Sequence, residues 1–222
     1  MGFRGLIFDL DGTLLNTLTD IACAANNVLG RLGFPQHKIE TYRYFIGSGV
    51  RTLSLRALPE NSRDETLVNN ISLEIEEEYS RIWSNNTLPY DGIPELLDAL
   101  TGLNIKMAIL TNKPHEPAEK MVLKILSPWR FERIIGAQPS IIPKPDPTAA
   151  LQITRQMNLE PADCFYLGDS TVDMQTAVAA KMYPVGALWG FSTAEELAGG
   201  GARTLIKHPA ELLDILDDNR KS

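Results

Sequence analysis

Leu6-Ile7-Phe8 is a short apolar run that stops on Asp9-Leu10-Asp11-Gly12-Thr13. A run of this length that breaks on Asp-x-Asp-Gly reads as a buried strand ending in a tight turn. Two carboxylates at the open end of such a strand are costly, because a buried charge must be paired or bind a metal. Taken alone, the stretch reads equally well as a structural turn with a helix cap, since Asp and Gly are ordinary turn residues. Later segments repeat the design. The apolar run from Ile105 to Leu110 breaks on Thr111-Asn112-Lys113-Pro114. Cys164-Phe165-Tyr166-Leu167 breaks on Gly168-Asp169-Ser170, with Asp173 one helical turn past Asp169. Between them stands Lys144-Pro145-Asp146-Pro147. Each predicted strand ends in polar residues and is followed by a helical pattern. In open parallel sheets, ligands bind outside the carboxyl ends of the strands, so the four clusters are expected to converge there.

From Thr13 to the linker around residue 86 the pattern is wholly helical. Ile21, Ala25, Val28, Leu29 and Leu32 share one helix face, and Gly33 and Pro35 stop that helix. Ile39, Tyr42 and Ile46 predict a second, short helix ending at Gly47-Ser48-Gly49. Val50, Leu53 and Ala57 predict a third, and Leu67, Ile71, Ile75, Tyr79 and Ile82 a longer fourth. Glu74 and Glu76 to Glu78 lie mostly off that stripe and read as a solvated face, not a metal site. The breaker cluster from Asn85 to Gly92 reads as a linker, after which strands and helices alternate. That alternation predicts an α/β fold: a Rossmann-like parallel sheet with helices on both faces, carrying an inserted helical block. The expected division is a core of residues 1–15 and 87–222 and a helical unit of residues 16–86. The last residues, from Asp214, read as a final helical turn and a frayed end.

The four clusters, in this order, resemble the haloacid dehalogenase-like hydrolase superfamily. Within it, the chain is similar to the phosphoglycolate phosphatases, on Thr111-Asn112-Lys113-Pro114, Lys144-Pro145-Asp146-Pro147, Gly168-Asp169-Ser170 and the later Gly186-Ala187-Leu188-Trp189-Gly190-Phe191. Sister phosphatases share these features. The resemblance implies that the helical block is a small cap covering the site and reading the part of the substrate beyond the phosphate.

Charge sets the chemistry. Asp9, Asp11, Asp169 and Asp173 would bring four carboxylates into one cleft, and a phosphate ester brings roughly two more charges. Such a site needs cations. Lys144 is one. With oxygen ligands alone the other should be a hard divalent ion, magnesium by preference. The resemblance implies that its ligands are the Asp9 carboxylate, the Asp11 main-chain carbonyl and the Asp169 carboxylate. Asp173 would act through water or by orienting Lys144; it reads alternatively as a helix-dipole carboxylate. Asp9 would attack phosphorus and form an aspartyl-phosphate. Asp11 would protonate the leaving alkoxide and deprotonate the attacking water. The dehalogenase branch usually carries a different residue at Asp11, which favours phosphate chemistry. Thr111 supplies a hydroxyl. Asn112 precedes a helix expected to begin at Pro114, which would aim free N–H groups at the anion. Lys113 would touch phosphate or stand exposed. Lys144, followed by Pro145, would be held extended and would neutralise charge on Asp9 and the transferred group.

The substrate reader expected on the cap is the turn Gly47-Ser48-Gly49-Val50-Arg51, where glycine permits close approach and Arg51 would meet a second anionic group. The same turn reads structurally as a helix-to-helix connection with an exposed Arg. The resulting reading is a magnesium-dependent phosphatase for a small phosphate monoester, phosphoglycolate first. The alternatives are a phosphatase for pyrophosphate, a sugar phosphate or a nucleotide, or a β-phosphoglucomutase-like phosphotransferase. A phosphoacceptor signalling domain fits less well, because it has no inserted helical block.

Composition narrows the class further. The chain has 222 residues, 44% hydrophobic and 22% charged, enough for one large or two small domains with a sizeable core. Its net charge is −7 with no basic face, which disfavours nucleic acid. No apolar run is long enough to span a membrane. The first strand follows the start too closely for a signal peptide. Met1-Gly2 resembles the opening of a myristoylation site, but Leu6 stands where Ser or Thr is needed. Cys23 and Cys164 read as small buried hydrophobes. His37, His115 and His208 read as surface residues, and Trp83, Trp129 and Trp189 as core or hinge packing. A cytoplasmic monomer or homodimer acting on a small phosphorylated substrate is expected.

Overall fold

The computed structural model describes the backbone of residues 3–221 and the side chains of residues 3–216. The Met1-Gly2 start and the terminal Ser222 lie outside the described residues. In chain order the elements are β1 (Gly5–Phe8), β2 (Leu15–Asn16), α1 (Leu18–Arg31), α2 (Val50–Ala57), α3 (Glu65–Ile82), β3 (Leu88–Pro89), α4 (Ile93–Gly102), β4 (Lys106–Pro114), α5 (His115–Ile125), β5 (Arg133–Ala137), α6 (Thr148–Gln156), β6 (Cys164–Gly168), α7 (Thr171–Ala179), β7 (Tyr183–Ala187), α8 (Ala194–Gly200), β8 (Thr204–Ile206) and α9 (Glu211–Lys221). Short 3₁₀ turns lie at Ile39–Tyr44, Glu60–Ser62 and Pro161–Asp163.

Six strands form one parallel sheet in the order β5-β4-β1-β6-β7-β8. β1 is central and buried at every residue, the pattern of a parallel strand covered on both faces. Ile7 lies in register with Ala108 and Tyr166, and this row packs against Ala150 and Ile153 of α6 and Ala177 of α7. The neighbouring row, Phe8 with Ile109 and Leu167, is also buried. The chain winds outward from β1 through β4 to β5, then returns to the other side of β1 for β6, β7 and β8. The winding reverses between β1 and β6, and a crevice opens outside the strand ends at such a reversal. Asp9 and Asp169 follow those two strands.

Two elements differ from the sequence reading. β4 does not end at Leu110 but continues to Pro114, because its pairing with β5 slips and resumes at Pro114 opposite Ala137. Accordingly α5 begins at His115, with Pro114 as its cap and not its first residue. α9 is a full eleven-residue helix, longer than a last turn.

The chain forms two compact units. One takes in the chain up to Leu15 and again from Pro89, and the other is Asn16–Leu88. β2 and β3 pair with each other where the chain passes between units. The smaller unit has its own core, built by Ile21, Ala25, Val28 and Leu29 of α1, Leu53 and Ala57 of α2, and Val68, Ile71 and Ile75 of α3, around the fully buried Tyr42. Periodicity puts Leu32 on the apolar face, but it follows the last turn of α1 and is exposed. The segment around Tyr42 is a 3₁₀ turn, not a regular helix. Glu74 and Glu77 pair at the surface with Arg31 and Arg81, and Glu78, its side chain mostly covered, also meets Arg81.

Asp20 went unremarked in the sequence, yet it is 1% exposed. Its carboxylate accepts from the Asn86 backbone N–H at 3.0 Å and side chain at 2.8 Å, and from the Thr87 N–H at 2.9 Å and hydroxyl at 2.8 Å. It thereby ties the first turn of α1 to the end of the same unit.

Of the three histidines, only His208 is exposed. His37 is half-buried, its Nε2 2.7 Å from the Ala57 carbonyl oxygen, and it packs edge-on to Tyr42 and Phe45. His115 is half-buried and accepts from the Gly136 N–H through Nδ1. Trp83 is buried, whereas Trp129 and Trp189 donate their indole N–H groups to Asp98 and to the Thr13 carbonyl. Cys164 is buried, and burial pushes its thiol up to about 12; Cys23 is half-buried. No helix among the described residues is long and apolar enough to cross a membrane.

Candidate active site

The end of β1 and the end of β6 build the site together. Asp9 is 7% exposed, and its backbone N–H continues the ladder to the Leu167 carbonyl at 3.0 Å. Gly12 then turns the chain at φ 87°, a conformation that suits glycine. Its lack of a side chain matters twice, since a Cβ there would stand 2.3 Å from Asp169 Oδ2. Gly190 meets Asp169 from another loop, where a Cβ would lie 2.2 Å from the Asp169 Cβ. Asp169 is thus cradled between two glycines. It accepts from the Thr13 hydroxyl at 2.8 Å on Oδ1 and from the Phe191 N–H at 2.8 Å on Oδ2. Thr13 closes the Asp-x-Asp-Gly-Thr turn and Gly190 lies in the segment of residues 186–191, but nothing local in the sequence points to Asp169 as their neighbour.

Lys144 reaches in from the loop before α6, with only 1% of its side chain exposed. Its ammonium lies 2.9 Å from Asp9 Oδ1 and 2.6 Å from Asp173 Oδ1. The loop itself is pinned by Asn112. That amide donates to the Lys144 carbonyl at 3.2 Å and accepts from the Lys144 N–H at 2.9 Å. Asn112, read from sequence as a phosphate-side residue, therefore has both ends of its amide on the Lys144 main chain. The Lys144-Pro145 peptide bond is cis.

Asp173 combines two readings that the sequence set against each other. Its Oδ2 accepts from the Ser170 N–H at 3.0 Å and hydroxyl at 2.6 Å, closing a capping box at the start of α7. Its Oδ1 meets Lys144 and the Tyr166 hydroxyl at 3.4 Å. Asp11 stands apart from this network. Both of its oxygens face the Lys113 ammonium, at 3.1 and 3.0 Å. Lys113 is buried, which removes the exposed alternative considered for it. Thr111 is buried beside it and accepts from the Lys113 N–H at 3.2 Å.

Crowding of like charge shapes the electrostatics. Burial, with Asp173 adding to it, pushes the Asp9 carboxyl up to about 7 against the pull of Lys144. Burial and then the charges of Asp9 and Asp173 hold Asp169 well above the carboxylate range, although Phe191 and Thr13 oppose this. For Lys144 burial works against the charge, but Asp173 and Asp9 outweigh it and the net shift is upward. The site is short of positive charge.

A cation fits that deficit. Asp9, Asp169 and Asp173 each present a carboxylate oxygen, and these oxygens lie within 4.8 Å of one another. Asp9 Oδ1 is buried and, although close to Lys144, has no aligned hydrogen-bond partner. An oxygen-only set of this kind suits a hard divalent ion such as magnesium.

The expected substrate reader belongs to the smaller unit. Gly47 and Gly49 adopt positive φ, at 111° and 83°, on either side of the exposed Ser48. Arg51, in the first turn of α2, is exposed and faces α3, 3.2 Å from Asn69 Oδ1 and 3.7 Å from Glu65.

Comparison with known proteins finds relatives along nearly the whole chain. The phosphoglycolate phosphatase of Xylella fastidiosa is 32% identical over 209 residues, covering 93% of this chain and 90% of that relative. The N-acetylmuramic acid 6-phosphate phosphatase of Pseudomonas aeruginosa is 28% identical over 218 residues, covering 98% and 96%. The crystal structure of a candidate phosphoglycolate phosphatase from Lactobacillus delbrueckii subsp. bulgaricus superposes with a TM-score of 0.92 at 27% identity, covering 97% of this chain and 99% of that one. The pattern of the haloacid dehalogenase-like hydrolases spans residues 6–187, from β1 to the end of β7. A parallel sheet wound about β1 is the fold shared with that solved structure, and the chain belongs to the haloacid dehalogenase-like hydrolase family.

Proposed function

We propose that this hydrolase cleaves a small phosphate monoester through an aspartyl-phosphate, with phosphoglycolate as first substrate. The observation that carries the reading is the separation of the two β1-end carboxylates onto different cations, Asp9 with Lys144 and Asp11 with Lys113. A nucleophile and a proton carrier must be distinct groups, and here they answer to different partners. An Asp9 oxygen attacks phosphorus, and the bond from phosphorus to the ester oxygen breaks. The leaving alkoxide takes a proton from Asp11. Water then attacks the aspartyl-phosphate, giving its proton to Asp11, and the bond to Asp9 breaks with release of inorganic phosphate. Lys144 offsets charge on Asp9, Asp173 orients Lys144, and Thr111 offers its hydroxyl to the phosphoryl oxygens.

Magnesium would be held by the Asp9 and Asp169 carboxylates and the Asp11 main-chain carbonyl, and it would offset the negative charge gathered there. Two relatives of different substrate name leave two readings. The Xylella protein favours phosphoglycolate, and the Pseudomonas protein favours a sugar phosphate. The loop of residues 47–51 is proposed to discriminate between them, within a cap of residues 16–86. A cytoplasmic location is proposed from the phosphatase relatives.

Asp9→Asn tests the mechanism. It is expected to lose at least about a thousandfold in turnover, while circular dichroism and the melting transition stay those of the wild type. Rapid acid quench of wild type with a radiolabelled ester should trap phosphate on protein, and Asp9→Asn should trap none. Turnover of Asp9→Asn within about tenfold of wild type would instead require direct attack by water.

A further inference from the structure

Lys113 is a second buried ammonium in the larger unit, distinct in its commitments from Lys144. Its side chain is 6% exposed and that of Asp11 is 13% exposed. Nζ is nearly equidistant from both Asp11 oxygens, at 3.1 and 3.0 Å, so its charge is directed at the carboxylate as a whole. The backbone enforces this. β4 stays extended to Pro114, and residues two apart on an extended chain share a face. Thr111 and Lys113 therefore project together, and the Lys113 N–H bonds the Thr111 hydroxyl oxygen at 3.2 Å. A strand ending at Leu110 would leave Lys113 free to turn toward solvent. Ordering a lysine costs rotamer entropy, and burying its charge costs more unless a partner stands ready. Asp11 is such a partner, and Lys144 is already taken by Asp9 and Asp173.

We infer that Lys113 is a positioning residue that fixes the Asp11 carboxylate at the carboxyl end of β1, rather than a ligand of the transferred phosphate. The inference rests on the aspartyl-phosphate reading above and assigns one more residue to it. Proton balance is untouched: Asp11 gives a proton to the leaving oxygen and regains one from water, while Lys113 keeps its own.

Leaving groups separate the two roles. An alkyl ester needs a proton as its alkoxide departs, whereas p-nitrophenolate leaves without one. Lys113→Met with magnesium is expected to slow the pre-steady-state burst on an alkyl phosphate about 10- to 100-fold, as for lost acid catalysis. The burst of p-nitrophenol from the aryl ester should stay within about threefold of wild type, with its steady-state rate reduced because water attack also needs Asp11. The inhibition constant of inorganic phosphate should likewise stay within about threefold. Lys113→Arg, which keeps a cation beside Asp11, should recover part of the alkyl burst and serves equally if Lys113→Met does not fold. Equal burst losses on both esters, together with phosphate inhibition weakened about tenfold or more in either variant, would overturn the inference in favour of a phosphate ligand. Asp11→Asn runs alongside. If it matches wild type on both esters, the acid–base reading itself fails. If it is impaired while both Lys113 variants keep wild-type bursts, the inference alone fails.

Discussion

Two glycines pressed against Asp169 set the tolerance of the site at the scale of single residues. A methyl group at Gly190 would overlap the Asp169 Cβ at 2.2 Å, and neither atom is the far end of a flexible chain. Something must shift, and overpacking of this kind costs about 1–3 kcal/mol. The displaced group would be the carboxylate proposed to hold magnesium. Gly190→Ala is therefore expected to lower the melting temperature and to raise the magnesium concentration for half-maximal activity. A magnesium titration that superposes on wild type would show that Asp169 has no part in metal binding. Thr13 belongs to the same account, because it bonds Asp169 directly. Sequence offered a signal here, a Thr closing the β1 turn, but nothing local said that its hydroxyl would face a carboxylate more than 150 residues away.

At the scale of elements, Asp20 does for the helical unit what Lys144 does for the core. A carboxylate 1% exposed, with donors from Asn86 and Thr87, joins the unit's first turn to its last residues. Hydrogen bonds to a charged group contribute about 1.5–3 kcal/mol each in favourable cases, and deleting a buried partner also strands its donors. Asp20→Asn keeps the shape but turns an NH₂ group toward donors. It is expected to destabilise by about 2–4 kcal/mol, read as a lowered urea midpoint with unchanged slope. A midpoint within error of wild type would mean that water replaces the carboxylate at no cost. Asp64 caps α3 through the Leu67 N–H, a smaller and purely local contribution of about 1 kcal/mol.

For the whole molecule, the question is how an acidic protein selects an anionic substrate. The net charge of −7 gives no long-range attraction, so preference must be local. Arg51 is the proposed local cation, and it would exchange exposed contacts with Asn69 and Glu65 for a substrate carboxylate. Exposed pairs contribute little, so the exchange costs little. Arg51→Ala should depress kcat/KM for phosphoglycolate by about 10- to 100-fold, the equivalent of one charged hydrogen bond, and leave an aryl phosphate nearly unchanged. Equal losses on both substrates would remove Arg51 as the reader, and a preference for a sugar phosphate would favour the second reading. The strand ends marked by Asp9 and Asp169 were legible in the sequence, and so was the alternation that makes the sheet parallel. Each is a local matter: a run of apolar residues fixes a buried strand, and the first polar residues after it must lie at its end. What only the tertiary structure decided was partnership. Burial patterns do not encode strand order, so nothing in the chain said that β1 lies between β4 and β6, which brings Lys113 to Asp11 and Thr13 to Asp169. Nor did the run ending at Leu110 reveal that β4 would extend to Pro114, because that length is set by pairing with β5. Local periodicity placed polar residues after the apolar runs, and backbone pairing across distant segments decided which of them meet.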